Sequence, residues 1–150
     1  MTNIDDIEIL LVEDNENDAE LTIRALKKVN LGNHLIHVKD GVEALAFLFA
    51  NGTYADRQSK KNPKVILLDI KMPRLDGIEV LRQIRLNRLT KLVPVVIMTS
   101  SKEEYDIIRS YELGVNSFIV KPVDFQSFSK AVSDLGMYWV IMNEGPIMIS

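Results

Sequence analysis

The 150-residue sequence predicts one doubly wound α/β domain, a five-stranded parallel sheet in the order 2-1-3-4-5 with helices on both faces. Three observations carry this expectation. Short β-branched and leucine-rich runs recur at IEILLV (7–12), HLIHV (34–38), KVILL (64–68), VPVVIM (93–98) and SFIV (117–120), and a helical pattern follows each. Parallel neighbours need a right-handed crossover to bring the chain back, so five strand-then-helix units imply a parallel sheet covered on both sides. The first, third and fourth runs are almost continuously apolar, as central strands are, whereas polar-flanked HLIHV and short SFIV suit the edges.

After the first strand, Ala19, Ile23, Leu26 and Val29 make one apolar helical face; after the third, Ile78, Leu81 and Ile84 do the same. Asn15, Asp40, Asp76 and Ser101 each stand three residues before an acid (Asp18, Glu43, Glu79, Glu104), the spacing of a capping side chain at a helix start. The fifth helix is expected to begin at Asp124, with Phe125, Phe128, Val132 and Leu135 as its buried stripe. NGTYADRQSKKNPK (51–64) reads as a long surface excursion, and its basic residues Arg57, Lys60, Lys61 and Lys64 as solvated.

Apolar residues make up 47% and charged residues 26% of the chain, the profile of a globular domain with a core and not of a disordered segment. There is no cysteine, which excludes disulfides, thiolate metal sites and cysteine nucleophiles. The opening MTNIDDIEILLVEDN is acidic where a secretory leader is basic, and its apolar run is too short for a membrane span. The expected location is the cytoplasm, with no membrane contact. A net charge of −3 gives no general attraction to nucleic acid.

In such sheets a ligand binds outside the carboxyl ends of the strands, where the strand order reverses, here between the first and third. Strand one delivers Glu13 and Asp14 to that edge, strand three Asp69, strand four Thr99 and Ser100, and strand five Lys121 followed by Pro122. A strand-terminal Asp taken alone is commonly a turn former or a cap, but capping is already assigned to Asp76. Pro73 keeps residue 72 out of helical geometry and holds the IKMPRL loop away from the site, so Asp69 is left as a presented carboxylate. Two like charges about 5 Å apart repel by roughly 3 kcal/mol at an effective dielectric of about 20, and Lys121 alone cannot balance three carboxylates. A hard divalent cation can, and Mg²⁺ suits a small, partly hydrated oxygen site. Asp14 and Asp69 are the expected direct ligands, the Lys71 main-chain carbonyl a third, and Glu13 a partner through water. An ionised carboxylate needs no general base to attack phosphorus, and Lys121 and Thr99 are suitable donors to the transferring oxygens.

These residues carry a resemblance. EILLVEDN, LLDIKMPRLDG, VVIMTSS and FIVKP are similar to the motifs of receiver domains of two-component response regulators, over about residues 4–138. The resemblance implies the flavodoxin-like strand order of that family. It implies that Asp69 accepts a phosphoryl group from a phosphohistidine of a sensor histidine kinase, that Glu13 and Asp14 are the acidic pair, Thr99 the hydroxyl switch and Lys121 the phosphoryl contact. It further implies a cis bond before Pro122, and an aromatic switch at Phe118 that moves behind Thr99 and remodels the face of helix four, strand five and helix five. Slow self-dephosphorylation would be its only other chemistry, tuned by Lys71 and Ser101. With about a dozen residues after the fifth helix, the chain resembles a stand-alone receiver. The 51–64 excursion, SYELGVNSFIVKP and the Tyr138–Trp139 ending resemble single-domain regulators of phytochrome-type kinases.

In the apolar ending GMYWVIMNEGPIMIS (136–150), with its tail 139–150, either Tyr138 and Trp139 finish the packing of helix five or the stripe forms a dimer or partner surface together with the switch face; a downstream protein or phosphotransfer partner is expected. His34 and His37 are read as lying on an edge strand away from the acidic end, with no metal role. Two rivals remain. An aspartate-nucleophile phosphohydrolase is expected to carry an acid two residues past the nucleophile, where this chain has Lys71; a degenerate receiver scaffold would not need the acidic site intact.

Overall fold

The computed structural model describes residues 8–28, 34–56, 62–72, 75–109, 113–115 and 117–134. The elements run β1 (Ile9–Val12), α1 (Glu16–Lys27), β2 (Leu35–Val38), α2 (Gly41–Leu48), a 3₁₀ turn (Gly52–Tyr54), β3 (Val65–Asp69), α3 (Gly77–Leu86), β4 (Val95–Thr99), α4 (Lys102–Arg109), β5 (Ser117–Val120) and α5 (Phe125–Asp134). All neighbours in the sheet are parallel and the order is β2-β1-β3-β4-β5, as the sequence predicts. β1, β3 and β4 are buried along their whole length, while β2 and β5 keep partly exposed residues, which is what separates central strands from edges.

Alternation along the central strands splits the core into two layers. Leu10, Val12, Ile66, Leu68 and Ile97 face α2, α3 and α4 through Phe47, Val80, Leu81, Ile84 and Tyr105. Ile9, Leu11, Val65, Leu67, Val96 and Met98 face α1 and α5 through Ala19, Leu26, Phe128 and Ala131. The apolar stripe of α1 includes one polar member: Thr22 is buried because its hydroxyl donates to the Asp18 carbonyl at 3.0 Å. In α5 the buried pair is Phe128 and Ala131, with Phe125 half-buried. The expected roles of Val29, Pro73, Leu135 and the 139–150 tail lie outside the described residues, as does that of the Val132 side chain.

Each helix starts at the cap its sequence provides. Asn15, Asp40, Asp76 and Ser101 accept from the main-chain N–H three residues on, at 2.9, 2.8, 3.0 and 3.2 Å. Asp124 and Ser127 cap each other reciprocally, so Asp124 is the cap and α5 begins one residue later than predicted. Gly77, first in α3, is required by close approach: a Cβ there would sit 2.5 Å from the Asp69 main-chain oxygen and 2.7 Å from Ile70 Cα. Its own N–H donates to the Ile70 carbonyl at 2.9 Å, which ties the β3–α3 loop against the end of the strand that carries Asp69. In the 51–64 segment the 3₁₀ turn packs on α2, with Tyr54 edge-on to Phe47, and Lys64 is not free in solvent but paired with Glu8 at 2.6 Å. Arg57, Lys60 and Lys61 lie outside the described residues. Among the described residues no helix is long and apolar enough to cross a membrane.

Candidate phosphoryl and metal site

Parallel pairing puts all carboxyl-terminal strand ends on one edge, and there a cavity of about 230 Å³ is lined by Glu13, Asp14, Asn15, Asp18, Asp69, Lys71, Ser100, Glu104 and Lys121. Five of the site residues expected from sequence therefore meet: Glu13, Asp14, Asp69, Lys71 and Lys121. Oxygens of Glu13, Asp14 and Asp69 lie within 4.8 Å of one another. Asp14 is exposed, while Glu13 and Asp69 are 0% and 5% exposed. Lys121, whose N–H donates to the Thr99 carbonyl at 2.9 Å, sends its ammonium into the cluster: 2.8 Å from Glu13 Oε1, 3.1 Å from Asp18 Oδ2 and 3.4 Å from Asp69 Oδ2.

Burial alone would make this ammonium easier to deprotonate; the hydrogen bond to Glu13 and the charges of Asp69 and Glu13 outweigh that and raise its pKa, so it is a fixed cation. The Asp69 carboxyl is pushed up to about 7, first by burial and then by hydrogen bonding to Glu13 and by the Glu13 charge, against the opposing pull of Lys121 and of the Lys71 N–H. That N–H donates to Asp69 Oδ1 at 3.3 Å, so one oxygen of Asp69 does serve a local turn while the other faces the cluster.

The donor set fits a divalent cation. Glu13 Oε2 accepts from the Asn15 N–H at 3.1 Å, and its buried Oε1 lies 2.8 Å from the Lys121 ammonium, which also reaches Asp18 and Asp69. One ammonium balances only one of the three clustered carboxylates, and a group of hard carboxylate oxygens left with net negative charge is what a Mg²⁺- or Mn²⁺-type ion satisfies.

Thr99 stands differently. It is buried at the end of β4, does not line the cavity, and its hydroxyl donates to the Ser101 carbonyl at 2.9 Å. Phe118 is half-buried and stacks on Tyr105 of α4, with ring centroids 4.1 Å apart and planes inclined by 22°. The Lys121–Pro122 bond is cis. Sequence reading missed three participants. Asp18 bonds Lys121, and Glu104 bonds both the Ser100 N–H at 3.1 Å and Lys71 Nζ at 3.0 Å. His37 does not lie away from the acidic end: its Nε2 is 2.7 Å from the Glu13 main-chain carbonyl. Asp18 and Glu104 were legible only as acids following a cap; the cap accounts for the N–H of such an acid, and the spacing does not say which side chains of other elements its carboxylate reaches.

The chain belongs to the response regulator receiver family: residues 9–133 match the family described as response regulator receiver domain, a class of signalling domains and not of enzymes. It is similar to the response regulator Rcp1 of Synechocystis sp., 39% identical over 132 residues that cover 88% of each chain. The crystal structure of Mn²⁺-bound Rcp1 superposes with a TM-score of 0.68 at 37% identity, covering 92% of this chain and 96% of that one. The bacteriophytochrome response regulator RtBRR is nearer, with a TM-score of 0.84 at 49% identity, covering 92% of this chain and 82% of that one. The phosphorylated cyanobacterial phytochrome response regulator RcpA gives a TM-score of 0.68 at 35% identity, covering 92% and 95%.

Proposed function

We propose that this receiver takes a phosphoryl group from the phosphohistidine of a sensor histidine kinase onto Asp69, with Mg²⁺ held by Asp14, Asp69 and the Lys71 main-chain carbonyl and by Glu13 through water. The observation that carries the reading is the gathering of three carboxylates within 4.8 Å of one another, two of which, Glu13 and Asp69, contact the Lys121 ammonium. When bound, the cation neutralises the carboxylates and the transferring oxygens. An Asp69 oxygen forms the new P–O bond while the P–N bond to the donor imidazole breaks, and the bonding pair stays on the ring nitrogen, which is protonated by solvent. Lys121 balances the charge arriving on the phosphoryl oxygens.

Thr99 then exchanges its bond to the Ser101 carbonyl for one to the phosphoryl group, and the space behind it draws Phe118 away from Tyr105. That shift alters the α4–β5–α5 face, where Ile107 and Val120 are 63% and 42% exposed. This face, with the 139–150 tail, is the proposed surface for a second copy of the chain or for a downstream protein or phosphotransfer partner. The similarity to the phytochrome response regulators RtBRR and RcpA supports a phytochrome-type kinase as the donor. The domain spans about residues 4–138 in this reading and acts without membrane or nucleic-acid contact, in the cytoplasm; self-dephosphorylation is slow.

Incubation with Mg²⁺ and acetyl phosphate is expected to add one acid-labile phosphoryl group, seen by intact mass, and a chelator should abolish it; equal incorporation without divalent cation would contradict the reading.

The raised Asp69 pKa sets a pH dependence. The folded chain holds this proton more tightly than the unfolded chain, so the group's contribution to metal-free stability is present below its ordinary value of 3.8 and is lost as the pH rises through about 7. Mg²⁺ competes with the same proton. Its affinity should fall by up to about tenfold per unit as the pH drops below 7, and a calorimetric titration giving the same affinity at both ends of that range would contradict the assignment.

A further inference from the structure

Glu104, the fourth residue after Ser100, is a cavity-lining carboxylate with no part in the cation site, yet both its oxygens are engaged inside the cavity. Oε1 accepts from the Ser100 N–H at 3.1 Å and Oε2 lies 3.0 Å from Lys71 Nζ. These donors come from two different loops, one after β4 and one after β3, and both line the cavity with Asp69. The Glu104 side chain is 16% exposed and that of Lys71 75%, so a shielded carboxylate at the rim of the cavity is met by an ammonium that reaches it from the solvent side. A main-chain N–H and an ammonium that hold a carboxylate are equally able to hold phosphoryl oxygens, which are acceptors of the same charge.

We infer that Glu104 is an internal competitor for the incoming phosphoryl group: in the resting chain it occupies Ser100 N–H and Lys71, and phosphorylation must displace it. This deepens the regulation of the site and rests on the phosphoacceptor reading above. Displacement has a mechanical consequence, because Glu104 belongs to the first turn of α4. Its N–H is capped by Ser101 Oγ at 3.2 Å, and the Ser101 carbonyl in turn holds the Thr99 hydroxyl at 2.9 Å. Loss of Glu104 from Ser100 and loss of Thr99 from Ser101 therefore loosen the same short turn, which couples the charge in the cavity to the helix that signals.

The bland alternative is a helix cap and nothing more. On α2, Glu43 reaches the Lys39 N–H at 2.9 Å in the same way while Asp40 caps, and none of these three residues lines the cavity. What sets Glu104 apart is the Lys71 bridge, and the experiment separates the two. Initial rates of phosphoryl incorporation from acetyl phosphate, with saturating Mg²⁺, are measured on the full chain and on Glu104→Gln, Lys71→Met and the double variant. Gln still accepts from the Ser100 N–H and so preserves the cap, but it releases the ammonium.

Glu104→Gln is expected to lower the half-saturating acetyl phosphate concentration about two- to fivefold, the range of a single partly exposed ion pair, with its melting temperature unchanged. Lys71→Met should raise that concentration by a similar factor, and Glu104→Gln should have no further effect in its background. A structural cap or an idle ion pair gives no shift, or shifts of the same sign in both single variants; either overturns the inference. Should Glu104→Gln not fold, Lys71→Met decides alone, since that side chain is 75% exposed: a raised half-saturation supports the competitor role, and an unchanged or lowered one overturns it. Failure of the wild type to take up phosphate would instead remove the phosphoacceptor reading, and that shows before any variant is compared.

Discussion

Asp69→Asn is expected to lose all phosphoryl uptake and, at the same time, to gain stability in the absence of metal. The two effects have one origin. Asp69 is 5% exposed, shares its space with Glu13, and is held up to about 7, so above neutral pH the folded chain carries a carboxylate it would bind more comfortably as the acid. An amide of the same shape removes that charge and can still accept from the Lys71 N–H. The gain at pH 8 should be on the order of 1–3 kcal/mol, below the full value of the shift because Lys121 loses one of its carboxylates. Urea denaturation at pH 8 and at about pH 5 reads it: the variant's advantage should shrink at the lower pH, where the wild-type group is already protonated. An advantage that is constant with pH would mean the charge is not what destabilises the resting site.

Lys121→Met is expected to act in the opposite sense. The ammonium is 22% exposed and touches Glu13, Asp18 and Asp69, and Glu13 has no exposure at all. Removing one partner of a buried ion pair costs about 3–5 kcal/mol, because the charge left behind keeps its desolvation and loses its compensation. Denaturation at pH 8 without metal should show a loss of this order, and Mg²⁺ should restore a larger part of it than it adds to the wild type, since the cation replaces the missing positive charge. Phosphoryl uptake in this variant should be weak and the partner-facing surface should fail to respond. Equal stabilisation of variant and wild type by Mg²⁺ would contradict the idea that lysine and cation serve the same carboxylates.

The fold was legible because each level of the sequence pointed the same way. Continuous apolar runs marked β1, β3 and β4 as central, and Asn15, Asp40, Asp76 and Ser101 marked helix starts that the structure places with their capping bonds made. The strand-end residues of the cavity, Glu13, Asp14, Asp69, Ser100 and Lys121, were legible for a topological reason, since parallel order alone sends them to one edge. What sequence could not give was the reach of side chains from neighbouring elements. His37 pairs in register with Leu11, which says nothing of whether its ring turns along the strand to the Glu13 carbonyl. Asp18 and Glu104 were explained locally by helix starts, and that explanation hid their longer contacts to Lys121 and Lys71. The resting state of Thr99 was also out of reach, because a buried strand-end hydroxyl needs a partner and only the path of the Thr99–Ser101 turn supplies the Ser101 carbonyl.

The same geometry weighs against a phosphohydrolase. The position where such an enzyme needs a proton donor is Lys71, and its ammonium is paired with Glu104 at 3.0 Å instead of being free to protonate a leaving group.

The most direct test is chemical identification of the modified residue. An aspartyl phosphate is a mixed anhydride, and borohydride reduces it to homoserine, so the chain phosphorylated with Mg²⁺ and acetyl phosphate can be reduced, digested and sequenced by tandem mass spectrometry. Homoserine at position 69 is the predicted result; homoserine at 14 or 18, 5-hydroxynorvaline at Glu13, or a labelled Asp69→Asn chain, would contradict the assignment.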